Sequence, residues 1–312
     1  MLKNKRIPHL VAQLGPLVGL LIIVVIISII DPGFLSAGNL LNVFRQVSIN
    51  AMIAFGMTFV ILTGGIDLSV GSTLALSSAV SASLLASGLD PILAVLAGLI
   101  SGAILGAING IVIAKGHVAP FIATLATMTI FRGLTLVVTD RRPISGLGDS
   151  TFFQMIGKGY LFGIPVPVVL VGIVFIILFL VLKKTTLGRR IYAVGGNEEA
   201  AILSGIHSDR VKIFAYSLIG FLSSVAGMIL TSRLSSAQPT AGESYELDAI
   251  AAVVLGGTSL SGGKGKIVGT LIGVLIIGVL NNGLNLLGVS STFQQVVKGS
   301  VILLAVLVDR KK

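Results

Sequence analysis

The sequence predicts an all-α, polytopic integral membrane protein of about ten transmembrane helices, short or broken at two internally repeated positions. Three observations predict it. The 312 residues are 54% hydrophobic and 11% charged, and the mean hydropathy of +1.04 is far above that of a soluble domain. Apolar stretches repeatedly reach the roughly 20 residues needed to cross a bilayer core of about 30 Å. One polar motif, G-G-x-x-L-S-x-G, occurs at 64–71 and again at 256–263, each time interrupting an apolar run.

In chain order the apolar stretches fall at about 10–30, 47–63, 70–88, 91–114, 118–139, 165–182, 211–232, 247–256, 267–288 and 293–309, bounded by charged or turn residues. The first follows a basic start, MLKNKRIPHL, yet it is too long for a secretory leader and no small-residue cleavage site follows, so it reads as a retained span. The run at 247–256 is short. With a cytoplasmic N-terminus and alternating sides, Lys3, Lys5, Arg6, Lys115, Lys183, Lys184, Arg189, Arg190, Arg210, Lys212, Lys264, Lys266, Arg310, Lys311 and Lys312 are cytoplasmic, fifteen of the 22 basic residues. This satisfies the positive-inside rule and puts both termini in the cytoplasm. Arg45, Arg141, Arg142, Lys158 and Arg233 fall outside, while Arg132 and Lys298 fall within spans, where a charge has to pair or snorkel. The long loops at 140–164, outside, and 183–210, inside, are expected docking surfaces. Neither is long or polar enough to be a second domain, so residues 1–312 read as one transmembrane domain.

Composition removes several function classes. Without cysteine there are no thiolate metal sites, iron–sulfur clusters or disulfides. His9, His117 and His207 lack metal-ligand spacing, so neither metal nor cofactor is expected. The net charge of +10 is not clustered with interleaved aromatics, which argues against nucleic acid. SLSGGKGK at 259–266 looks like a phosphate loop, but G-x-x-x-x-G-K-[ST] requires Gly at 258 and Ser or Thr at 265, where the chain has Thr258 and Gly265. No nucleotide site and no enzymatic activity are expected. Intramembrane acids are nearly absent, Asp67 and Asp248 sitting at break or edge positions, whereas ion-coupled carriers need buried carboxylates. Energy for transport then has to come from another chain.

Each copy of the break is followed by a similar element, ILGAIN at 104–109 and IIGVLN at 276–281, which points to an internal duplication with an extra span in the first half. Glycine pairs unwind a helix, and the freed backbone groups must be buried in protein or line a wet cavity. Paired breaks are the pattern of a translocation path; close packing or a turn at the membrane face is the other open reading. The candidate lining is Gly64, Gly65, Asp67 and Ser69 in the first break and Gly256, Gly257, Ser259 and Ser261 in the second. Asn281, Asn282 and Asn285 join them, because two or three amides then share one side of a membrane helix. Asp67 equally suits a cap for the helix beginning near Leu68.

Within 183–210, Asn197 is a good N-cap, Glu198 and Glu199 suit a positive first turn, AAIL gives an apolar face, and Gly205 ends a short helix. The stretches GMTFVILTGGIDLSVGS, LGRRIYAVGGNEEAAILSGI, RLSSAQPTAGESYELDAIAAVVLGGTSLSGGKGKIVGTLIG and NNGLNLLGVSS closely resemble the permease subunits of bacterial ribose ABC transporters, and the resemblance runs from the first span to Lys312. It implies a ribose importer of the bacterial cytoplasmic (inner) membrane, built from two permease chains in lipid, a cytoplasmic ATP-binding-cassette subunit and an extracytoplasmic sugar-binding protein. It also implies that Gly196, Asn197, Glu198, Glu199, Leu203, Ser204 and Gly205 form the element that couples to the ATPase. Permeases for galactose, xylose or furanone signals share the general pattern, and a secondary sugar carrier is the alternative from a different class.

Overall fold

The computed structural model describes residues 6–309. In chain order the helices are α1 (Arg6–Ile30), α2 (Ala37–Leu62), α3 (Val70–Ala86), α4 (Pro91–Ala114), α5 (Pro120–Val138), α6 (Thr151–Lys158) and α7 (Val166–Lys184). They continue as α8 (Thr186–Gly196), α9 (Glu198–Leu203), α10 (Ser208–Leu234), α11 (Tyr245–Leu255), α12 (Ile267–Leu286) and α13 (Ser291–Asp309). A small antiparallel hairpin, β1 (Tyr160–Leu161) and β2 (Ile164–Pro165), lies between α6 and α7. Among the described residues six helices, α2, α4, α5, α7, α10 and α12, are long and apolar enough to cross a bilayer, and α3 and the 15–30 part of α1 are shorter apolar helices. The chain is thus a helical multi-pass membrane protein, with six of the roughly ten expected spans meeting length and composition. Lys3, Lys5, Arg310, Lys311 and Lys312 lie outside the described residues.

Caps set the helix starts. Ser36 Oγ accepts from Asn39 N at 3.4 Å, so α2 begins at Ala37, ten residues before the expected 47. Asn39, Asn42, Arg45 and Gln46 lie inside it. Asp90 Oδ1 accepts from Ile92 N and Leu93 N at 3.0 and 3.2 Å, with Pro91 at the first helical position, and this starts α4. The expected outer loop 140–164 contains α6, pinned to α10 because Ser232 Oγ donates to Phe153 O at 2.5 Å and accepts from Gly157 N at 2.9 Å.

The core is organised on α2, buried continuously from Val47 to Leu62 and packed against α7, α10, α11 and α12. Where α2 meets α12, the hydroxyls of Thr58 and Thr270 lie 2.7 Å apart. Helices α4 and α10 pack along Gly98, Gly102, Gly106 and Gly110, spaced four apart on one face of α4. A Cβ on Gly102 would lie 2.7 Å from Gly220 O, and one on Gly110 2.7 Å from Ile213 Cα. Small residues at this spacing let two backbones approach closely. Gly106→Ala would press its methyl into the Tyr216 carbonyl, so it is expected to cost about 1–3 kcal/mol, read as a lower thermal midpoint of the purified protein in detergent.

Helix α11 has 11 residues, about 16 Å, or half a bilayer. What precedes it is not helical. Ala237 pairs with Ile144 through bonds of 2.9 and 3.0 Å. From there the chain runs in to Gly242, where an added Cβ would lie 2.9 Å from Gly71 Cα, at the start of α3.

Candidate functional site

The first break joins α2 to α3 through a buried polar knot. Thr63 caps α2, Gly64 turns back at φ +83°, and Gly65 N donates to Val60 O at 3.1 Å. This left-handed ending carries no Cβ penalty at glycine. Asp67 Oδ1 accepts from Ser69 N at 2.8 Å and Ser69 Oγ at 2.7 Å, and Asn109 Nδ2 of α4 donates to Ser69 Oγ at 2.8 Å. Ile66 O, freed by the break, accepts from Thr124 Oγ1 of α5 and Tyr216 OH of α10, each at 3.3 Å. The broken backbone is therefore repaid by protein partners, as it must be in a membrane. Asp67 and Ser69 are buried, and Asp67 holds the turn into α3.

The second break repeats that turn one residue later in the motif. Gly256 caps α11, Gly257 has φ +83°, and Thr258 N donates to Val253 O at 3.2 Å. Thr63, Gly64 and Gly65 thus match Gly256, Gly257 and Thr258, an offset of 193 against 192 for the sequence motif. Beyond it, Ser259 N donates to Lys264 O at 2.9 Å and Ser259 Oγ accepts from Ser261 N at 3.3 Å, leaving Ser261 exposed.

The two breaks meet each other, and the end of α8 meets both. Gly263 N donates to Leu62 O at 3.0 Å. A Cβ on Gly262 would lie 2.8 Å from Gly195 O and 3.0 Å from Gly64 Cα, and one on Gly263 2.7 Å from Gly196 Cα. Gly64, Gly195, Gly196, Gly262 and Gly263 therefore form a junction in which backbones touch with no side chain between them. Tyr192 OH of α8 donates to Gly265 O at 2.9 Å; burial pushes its phenol above the ordinary value, so it remains the donor.

Helix α9 leaves directly from this junction. Asn197 Oδ1 accepts from Ala200 N at 2.9 Å, Glu198 and Glu199 fill the first turn, Ser204 caps the end and Gly205 turns at φ +81°. Glu198 is taken by Lys212 of α10, 2.6 Å away. Leu203, by contrast, is 90% exposed.

A family model described as "Branched-chain amino acid transport system / permease component" matches residues 39–306. The chain belongs to this permease family. It is 68% identical over 300 residues to the ribose import permease protein RbsC of Bacillus subtilis (strain 168), covering 96% of this chain and 93% of that one. It is 56% identical over 298 residues to RbsC of Escherichia coli (strain K12), covering 95% and 93%. The L-arabinose transport system permease protein AraH of the same strain is 42% identical over 300 residues, covering 96% and 91%. No solved structure matches the chain significantly.

In this permease the three amides stand apart from the breaks. Asn281 is 14 residues beyond Ile267, about 21 Å along α12. It is buried, and its Oδ1 has no partner among the described residues. Asn282 and Asn39 of α2 exchange two amide bonds of 2.9 Å, and Asn285 Oδ1 accepts from Gln294 Nε2 of α13 at 2.8 Å. The extra helix in the first half explains the difference between the duplicated asparagines. Asn109 lies on α4, which returns to the break, whereas Asn281 lies on the first helix after its break and ends at the far side.

Sequence reasoning missed α8 and the interruption ahead of α11. It noted Arg132 only as a charge within a span; its Nη1 donates to Pro239 O at 2.6 Å and Ala241 O at 2.9 Å. The available signal was QPTAGES at 238–244, a polar run with Pro and Gly too long for a tight turn. Asp248, expected at an edge, is buried inside α11 and paired with Lys298 Nζ of α13 at 2.9 Å, because an unpaired carboxylate at that depth is too costly.

Proposed function

We propose that this permease is the membrane subunit of an ATP-driven ribose importer, acting as a homodimer in lipid. A cytoplasmic ATP-binding-cassette subunit supplies the energy and an extracytoplasmic sugar-binding protein delivers the sugar. The observation that carries this reading is α9, a capped helix presenting an exposed leucine, which grows out of the junction joining both breaks. A push on α9 reaches the ends of α2 and α11 through touching backbones, with no flexible side chain to absorb it. Relatives at 68% and 56% identity, named as ribose import permeases, supply the sugar.

On this reading the junction end is cytoplasmic, together with Lys183, Lys184, Arg189, Arg190 and both termini. The spans are α1 to α5, α7, α10, α12 and α13, with α11 and the non-helical chain before it together making one more, within one transmembrane domain. The breaks, with Gly64, Gly65, Gly256, Gly257, Ser259 and Ser261, gate the inner mouth of the path. Asp67 and Ser69 frame that gate, and Asn281, Asn282 and Asn285 stand towards the outer mouth. Exposed Arg141 and Arg142 suit the sugar-binding protein, while Arg45 lies 4.8 Å from the centre of the Tyr160 ring.

The test is reconstitution in vesicles with the cassette ATPase and a ribose-binding protein, followed by labelled ribose uptake. Uptake should require both ATP and the ATPase. Leu203→Asp should lower it at least about tenfold, the scale of an interface hot spot, with the permease still folded. Ribose uptake without the ATPase, or undiminished by Leu203→Asp, would refute the reading.

A further inference from the structure

The interruption before α11 places polar chain deep in the membrane layer. Arg132 lies 12 residues beyond Pro120, the first residue of α5, about 18 Å along the helix. It stands among exposed apolar neighbours, Ile130 and Leu134. At that depth it holds Pro239 O and Ala241 O of the turns that precede α11, both from Nη1, which leaves Nη2 and Nε free of those bonds. Glu243 and Glu246 lie within electrostatic reach of the guanidinium, and neither forms a salt bridge among the described residues. Glu243 and Thr240 are exposed and Glu246 is half-buried.

Asp67 accepts from Ser69, and Asp248 pairs with Lys298. Among the described residues, Arg132, Glu243 and Glu246 carry their charge beside apolar surface without a salt bridge, with Thr240 next to them. Lipid cannot solvate such a face, so it has to border water or another polar surface. Its chemistry is that of a polyol site. A carboxylate accepts from two hydroxyls and a guanidinium donates in a fixed fork, so together they take both ends of a hydroxyl array.

We propose that the segment 238–246, braced by Arg132, is the sugar-contacting wall of the translocation path, with Glu246 and the free nitrogens of Arg132 holding the hydroxyls of a neutral monosaccharide. This rests on the importer reading and adds the contact site to it.

The test uses the full reconstituted transporter and the absence of native cysteine. In Thr240→Cys the thiol should react with a small water-soluble thiosulfonate, at least fivefold more slowly under ATP turnover with saturating ribose and binding protein. The thiol of Ile22→Cys, exposed in the middle of the apolar part of α1, should stay inert. The isosteric Glu246→Gln should lower ribose uptake at least tenfold while ATP hydrolysis stimulated by the loaded binding protein continues. If unsubstituted permease transports ribose but Thr240→Cys is as inert as Ile22→Cys, or Glu246→Gln transports at the parental rate, this proposal falls and the importer reading stands. If unsubstituted permease shows no ATP-driven ribose uptake, both fall.

Discussion

Lys298→Met should destabilise the permease by about 3 kcal/mol, the lower end for breaking a buried ion pair. The lower end applies because Lys298 keeps some exposure, while Asp248 is only 4% exposed. Removing the ammonium leaves Asp248 charged within α11 with nothing opposite it. The double variant Asp248→Asn with Lys298→Met should recover most of that loss, since no orphaned charge remains. Thermal unfolding of the single and double variants in one detergent, read as a double-mutant cycle, measures the pair directly. A single variant as stable as the parent would show that Asp248 finds solvent or another donor.

Gly195→Ala should cost at least about 3 kcal/mol, the upper end of overpacking penalties, and should abolish ATP-driven uptake. The new methyl would collide with the Leu62 carbonyl and lie 2.7 Å from Gly263 N. Both obstacles are backbone, so neither can swing aside. Its neighbour is the control: a Cβ on Gly196 meets nothing within 4 Å, so Gly196→Ala should leave the thermal midpoint nearly unchanged. Equal midpoints for the two variants would mean that α8 and the breaks are not in backbone contact.

Most of the bundle was legible because membrane spans announce themselves locally, by length without charge. The ends of α3, α4, α5 and α12 fall within about two residues of the apolar runs, a usual margin for helix boundaries. The first ten residues of α2 were hidden because their polar side chains are answered from far away. Asn39 pairs with Asn282 and Arg45 stacks on Tyr160, and no local pattern shows such partners. For the same reason the motif pair was visible but its purpose was not. The two breaks bond to each other and to α8, across separations that periodicity does not reach. The capped helix α9 was readable in full, since a cap, two acids and a terminal glycine act only on their own turn. That Glu198 is engaged by Lys212, leaving Leu203 as the free contact, needed the fold.

The central place of α2 also sets a timetable for biogenesis. Its hydroxyl partner Thr270 follows Thr58 by 212 residues, so at about 5–20 residues per second the ribosome needs about 10–40 s to deliver it. Through that interval α2, the most enclosed of the described spans, stands in the bilayer without α12 to cover it, and for most of it without α10. Nascent chains stalled before α12 should therefore be the preferred targets of membrane proteases, and insertion factors that shelter α2 should matter more to yield than any that act on the C-terminal helices.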